Sequence, residues 1–259
     1  MKWNLLTTII LPFLLVNCIE KPAPINATLR TMPSINTMPA TVADIPLPDG
    51  FKRNSYAEKS FATWLRKISI NKDTRVYLYN GQLKQNQQAQ YAVLNVPVGN
   101  KDLQQCADAV MRLRASYLYD QKRYADIAFS DNNGKSYVCP GPVDSIRFEH
   151  YLEKVYSYCG TLSLEKQLHP VSDFSLLQPG DVLIKGGSPG HCVMVMDIAV
   201  NSSGKTIYLL AQSYMPAQNI HLLKNPMDSE LSPWYELKND NSFIYTPEWT
   251  FAPRQLRRW

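Results

Sequence analysis

The sequence predicts an α+β domain, with helices packed on one face of an antiparallel sheet. Two observations predict it. Apolar residues recur at helical spacing in three segments, all before residue 160. Beyond residue 180 they form long runs separated by glycine- and asparagine-rich turns. The composition is that of a packed chain: 45 % of the 259 residues are hydrophobic and 19 % charged, which excludes a wholly disordered polypeptide.

The first element is a leader. Lys2 precedes an apolar stretch from Leu5 to Val16 that Thr7, Thr8 and Pro12 interrupt. It is too short to span a bilayer and has the form of an export signal. No run of about 18 apolar residues follows it, which excludes a multi-span membrane protein. Leu15-Val16-Asn17-Cys18 resembles a bacterial lipobox, in which the Cys becomes the first mature residue and carries the lipid, palmitate among its acyl chains. Asn17 stands where that pattern has Gly, Ala or Ser, and a plain secretory signal is the alternative. From Lys21 to Pro48 lie six of the chain's 18 prolines, with no helical or alternating period, so an extended spacer is expected. The expected organisation is a signal peptide over 1–17, a Pro-rich tether over 18–46 and one globular domain over 47–259. The domain would be lipid-anchored to a membrane of the bacterial cell envelope.

Ser55-Tyr56-Ala57-Glu58 reads as a capping box. Phe61, Trp64, Leu65 and Ile68 continue at helical spacing, giving a helix over about 56–68. Val76–Tyr79 is β-branched and aromatic and ends at Asn80-Gly81, and Tyr91–Val96 reads as another strand. A helix from near Asp102 carries Leu103, Cys106, Val110, Leu113 and Tyr117 on one face. Ile127–Phe129 and Tyr137–Val138 flank Asn133-Gly134 as a hairpin, and Phe148, Tyr151, Leu152 and Val155 mark a third helix. Strands follow over 181–185, 191–200 and 206–213. They are joined by Gly186-Gly187-Ser188-Pro189-Gly190 and by Asn201-Ser202-Ser203-Gly204.

The net charge of +5 comes from 27 basic and 22 acidic residues that are scattered, the densest cluster being Arg254, Arg257 and Arg258. Nucleic-acid binding needs a basic stripe on a recognisable module, and none is visible. Cys106, Cys139, Cys159 and Cys192 lack C-x-x-C clustering, and His150, His169, His191 and His221 form no H-E-x-x-H, so neither a metal nor a cofactor is expected. In an oxidising compartment the four cysteines could form two disulfides, and their spacing leaves the state of Cys139 and Cys159 open.

Gln178-Pro179-Gly180-Asp181 opens one apolar strand and Pro189-Gly190-His191-Cys192 opens the next. This pattern resembles the NlpC and CHAP groups of papain-like cysteine peptidases and amidases. The resemblance implies a papain-like core in which His191 is the catalytic base and Gln212, on the following strand, orients its ring. The nucleophile it implies is a Cys at the start of an earlier helix. Cys106 matches, because helix N-terminal amides favour a thiolate. Cys106 also falls on the apolar stripe of its helix, where a free Cys packs as a small hydrophobe. The family's D-C-S-G is absent, and the 85 residues from Cys106 to His191 exceed the family spacing, which would make 120–160 an insertion. Cys159 is nearer in sequence but lies near a helix end, where the macrodipole disfavours a thiolate. Pairing Val200 with Lys205 makes paired positions sum to 405 and sets His191 opposite Tyr214 and Gln212 opposite Val193. A register two residues tighter sets His191 opposite Gln212, and in both registers the two share a face.

The segments LQQCADAVMRLRASYLY, GTLSLEK, GDVLIKGGSPGH, LLAQSYMPAQ and LSPWY resemble a family of bacterial lipoproteins known as domain of unknown function 4846, over about residues 47–259. That resemblance implies an envelope lipoprotein and no particular activity. Two readings follow. One is a monomeric, membrane-anchored cysteine hydrolase that cleaves peptidoglycan or other envelope peptides through Cys106, His191 and Gln212. The other is a binding or scaffolding lipoprotein on the same fold, with Trp234, Tyr235 and Trp249 as contacts.

Overall fold

The computed structural model describes residues 38–259. The expected leader, the lipobox with Cys18 and the tether as far as residue 37 lie outside the described residues. The described chain is α+β. In order it forms β1 (Phe51–Arg53), α1 (Phe61–Arg66), β2 (Gln90–Val93), α2 (Cys106–Asp120), β3 (Ala128–Ser130), β4 (Ser136–Val138), α3 (Ser145–Tyr158) and α4 (Thr161–Gln167). Then come β5 (His169–Pro170), β6 (Val182–Lys185), β7 (His191–Asn201), β8 (Thr206–Gln212), β9 (His221–Leu223), β10 (Tyr235–Glu236), β11 (Ile244–Tyr245), β12 (Thr250–Phe251) and β13 (Leu256–Arg258). The main antiparallel sheet runs β2-β9-β8-β7-β6-β13-β5, with β1 added to β7 and β10 to β8.

The sheet has two apolar faces because β7 and β8 are apolar at nearly every position. Cys192, Met194 and Met196 join Ile207, Leu209 and Ala211 against α1, α2, α3 and α4. Val193, Val195 and Ile198 join Tyr208 and Leu210 on the opposite face, under Phe174, Tyr235, Ile244 and Phe251. Buried Asp197 lies at a bulge in β7. Arg53 Nε from β1 reaches it at 2.7 Å and Arg66 Nη2 from α1 at 2.6 Å.

Several boundaries differ from the sequence reading. The tether expected to reach residue 46 is packed from Thr41 onward. Thr41 bridges Ser69, and Val42 and Ile45 are fully buried in the helical core, because these two apolar side chains are spaced to meet it on one side of a 3-10 turn. The first helix begins at Phe61, not near 56, because Ser60 is its cap: its hydroxyl accepts the Thr63 N–H at 3.2 Å. Tyr77 and Leu78 form only isolated bridges instead of a strand over 76–79. Residues 120–160 are not a separable insertion, since Phe129, Tyr151, Leu152 and Val155 all enter the central core. Trp234 and Tyr235 are not exposed contacts: both are buried, and the Trp234 indole N–H donates to the Pro46 carbonyl at 2.7 Å.

Candidate active site

Three elements converge at one end of the sheet. The first is the start of α2. The helix begins at Cys106 and not near Asp102, because Asp102 Oδ1 is engaged outside the helix by the Ala217 N–H at 2.7 Å and the Gln105 amide at 3.1 Å. Cys106 therefore occupies the first helical position, where backbone N–H groups have no intrahelical partner.

The second element is the turn 186–190, which delivers His191 to the start of β7 opposite Lys185. Gly190 is required here: a Cβ at this position would overlap the Gly187 and Lys185 carbonyls and the Thr161 hydroxyl. The third is the end of β8. Beyond the bulge, Val195 pairs with Leu210 and Met194 with Ala211, and this parity places His191 and Gln212 on one face. His191 Nε2 lies 2.9 Å from Gln212 Oε1. The Gln212 carbonyl can only accept, so His191 Nε2 carries the proton and Nδ1 is left for another partner.

The Cys106 thiol neighbours this ring and the Cys192 thiol. The Cys192 hydrogen bond first, then that of His191 and its charge, with the Ala107 N–H, hold the Cys106 thiol well below its ordinary range against the opposing effect of burial. The neighbouring Cys192 is pushed well above its ordinary range by complete burial and by Cys106 itself. Cys159 faces the same cleft, but burial pushes its thiol up to about 12. All four cysteines of the described residues are free thiols, so Cys139 and Cys159 are unpaired.

A cleft of about 300 Å³ opens beside Cys106, walled by Tyr156, Gly160, Thr161, Gly187, Gly190 and Met215. Cys106 is 7 % exposed and His191 1 % exposed, with Tyr214, Trp249 and Phe251 around the imidazole. Behind Gln212 lies a polar chain that the sequence did not disclose. The Gln212 amide donates to Glu248 Oε2 at 2.7 Å, which Lys84 Nζ also reaches at 2.5 Å, and His221 Nε2 is 3.4 Å from the same amide. His221 donates through Nδ1 to the Asn219 carbonyl at 2.9 Å, and burial first, then the charge of Lys84, lowers its pKa to about 3. Among the described residues no group of three or more His, Cys, Asp or Glu side chains is placed to hold a metal ion.

The structure thus brings the three sequence-predicted residues Cys106, His191 and Gln212 into one cluster. Sequence reasoning missed Cys192, Asp108, His221, Lys84 and Glu248. Only Cys192 carried a signal, its position next to His191. No curated protein and no solved structure matches the chain. The chain belongs to the family described as domain of unknown function 4846, whose family model matches residues 42–138 and 143–258.

Proposed function

We propose that this member of the domain 4846 family is a cysteine hydrolase of the papain-like kind, an amidase or peptidase acting on cell-envelope peptides from a lipid anchor at Cys18. The observation that carries the reading is the imidazole of His191, tied at Nε2 to Gln212 and neighbouring a thiol that starts a helix. Cys106 as thiolate attacks the scissile carbonyl. The developing oxyanion is met by the free N–H groups at the start of α2. His191 passes a proton from Nδ1 to the departing amine, then draws one from the water that hydrolyses the thioester. Gln212, fixed by Glu248, keeps the ring in the productive tautomer. Among the described residues no helix is long and apolar enough to cross a membrane, so the membrane association in this reading rests on the N-terminal lipid.

One observation favours a non-catalytic binding or scaffolding role. The imidazole is nearly enclosed by three aromatic rings and the thiol is almost buried. Iodoacetamide labelling of the native protein, read by peptide mass, separates the two. The hydrolase reading expects Cys106 to be labelled at neutral pH and expects Cys106→Ala to abolish hydrolysis of envelope-derived peptides. Labelling of Cys106 only in denaturant overturns it. Mass spectrometry of the membrane fraction tests the anchor, and an unmodified N-terminus at any residue other than Cys18 overturns that part.

A further inference from the structure

We infer that the cleft beside Cys106 takes substrates bearing a protonated primary amine close to the scissile bond, with the Asp108 carboxyl as the amine's receptor. The inference rests on the reading of Cys106 as nucleophile and adds the substrate's charge to it.

Among the described residues, Asp102 and Asp108 are the only charged side chains that line this cleft; no Lys or Arg does. Asp102 is engaged, since its Oδ1 accepts both the Ala217 N–H and the Gln105 amide. Asp108 is half engaged. Its Oδ2 accepts the Gln105 N–H at 3.0 Å, while its Oδ1 is buried and has no partner. The residue is 6 % exposed, lies two positions after Cys106 in the first turn of α2, and borders the cleft. Tyr156 also lines the cleft, but its hydroxyl lies beside the buried Arg112 guanidinium, so Asp108 Oδ1 is the acceptor left open. A buried carboxylate oxygen without a partner, in a cleft lined by no Lys or Arg, is complementary to an N–H donor such as an ammonium.

The charge balance supports the same ligand. Burial first, and the nearby Cys106 sulfur, push Asp108 well above the usual carboxylate range. An incoming ammonium supplies the missing countercharge, so Asp108 ionises and its proton leaves to solvent. A carboxylate or phosphate ligand would instead meet two acidic side chains and no lining Lys or Arg.

Charged thiol reagents test this without a known substrate. Cys106 thiolate attacks the sulfenyl sulfur of a methanethiosulfonate; a mixed disulfide forms and methanesulfinate leaves. Rates at Cys106 are measured by mass with the 2-aminoethyl, methyl and 2-sulfonatoethyl reagents at low salt, each divided by its rate on free cysteine. We expect the aminoethyl reagent to gain about tenfold or more over the sulfonatoethyl reagent. Asp108→Asn keeps an acceptor for the Gln105 N–H and should return that ratio toward the free-cysteine value. Should the variant misfold, the wild-type ratio still decides. A wild-type ratio equal to that of free cysteine overturns the inference and leaves the hydrolase reading standing. A preference that survives in folded Asp108→Asn overturns the role of Asp108. If no reagent reaches Cys106, the nucleophile reading falls and this inference falls with it.

Discussion

Replacing His191 with Ala should change how the reactivity of Cys106 depends on pH, and it should do more than lower the rate. In the wild-type protein the thiol is held well below its ordinary range by the Cys192 hydrogen bond first and by the hydrogen bond and charge of His191 next. Losing His191 removes the later of these causes and leaves the Cys192 hydrogen bond, so the thiol rises toward its ordinary range. A thiol at the ordinary value of about 8.5 is about 3 % ionised at pH 7, about thirtyfold short of a full thiolate, which sets the scale of the loss. A thiolate of higher pKa is intrinsically more nucleophilic, with a Brønsted slope of about 0.4–0.5, so the loss of rate at pH 7 is smaller than the loss of thiolate, and His191→Ala should gain on the wild type as pH rises. The assay is the iodoacetamide rate at Cys106 between pH 6 and 9, with folding checked by circular dichroism. Gln212→Ala should shift the profile less, because it only orients the ring. Cys192→Ala should shift it in the same direction as His191→Ala. Parallel rate–pH curves for folded wild type and His191→Ala would refute the reasoning.

Three further outcomes concern stability. His221 has its pKa lowered from 6.5 to about 3 by burial first; its contribution is fully present above pH 6.5 and is lost as pH falls toward 3, by up to about 1.4 kcal/mol per unit. Urea midpoints at pH 7, 5 and 4 should therefore fall more steeply for the wild type than for His221→Gln, and equal slopes would rule this out. Asp197→Ala leaves Arg53 and Arg66 facing each other without their shared carboxylate, and equilibrium denaturation should show a loss of about 3–5 kcal/mol; a loss under about 1 kcal/mol would mean the two guanidiniums find water. A chain begun at residue 47 loses the buried Val42 and Ile45 and should be about 3–6 kcal/mol less stable than one begun at residue 38, at about 1.5–3 kcal/mol per side chain. Equal melting temperatures for the two chains would show that this segment contributes nothing.

The central helices and the β-rich end were legible in the sequence because their signals are local. Val110, Leu113 and Tyr117 recur at helical spacing, and Asn201 to Gly204 punctuates two apolar runs; these became α2 and the β7–β8 hairpin. The contact between His191 and Gln212 was legible through a motif, Gly190-His191, and through strand parity. The tether boundary was misread because Val42 and Ile45 sit among prolines, where two buried side chains make no period. Glu248 and Lys84 were not legible at all. Glu248 reaches Gln212 from 36 residues after it, Lys84 reaches Glu248 from 164 residues before it, and neither lies in a patterned element. Asp108 was hidden for another reason: an acidic residue in the first turn of a helix reads as an ordinary dipole partner, and only the packing shows that one of its oxygens is left unpaired.

The β7 bulge is what joins the two halves of the site. Near the turn, Val200 pairs with Thr206 and Asp197 with Leu209, so paired positions sum to 406; past Val195 they sum to 405. The sequence reading allowed a sum of 405 or a register two residues tighter; 405 is one residue off at the turn and matches the pairs past the bulge, and the tighter register matches neither. Had the turn register persisted, Gln212 would have paired with Met194, and an odd offset would have sent its side chain to the face opposite His191. One extra residue reverses that parity. It also accounts for the buried charge beside it: Asp197 follows the extra residue, accepts from two arginines of β1 and α1, and donates nothing to either apolar face. The ion cluster therefore sits where the strand changes register. A shortened β7 lacking Val193 moves His191 into the place of Cys192, on the face opposite Gln212, and should lose the 2.9 Å contact between His191 and Gln212 while its turn-side pairing with β8 survives. Amide exchange should then show protected Ile207 and Tyr208, alongside a Cys106 that no longer reacts at neutral pH. Retention of the neutral-pH reactivity in that deletion would show that strand parity does not position His191.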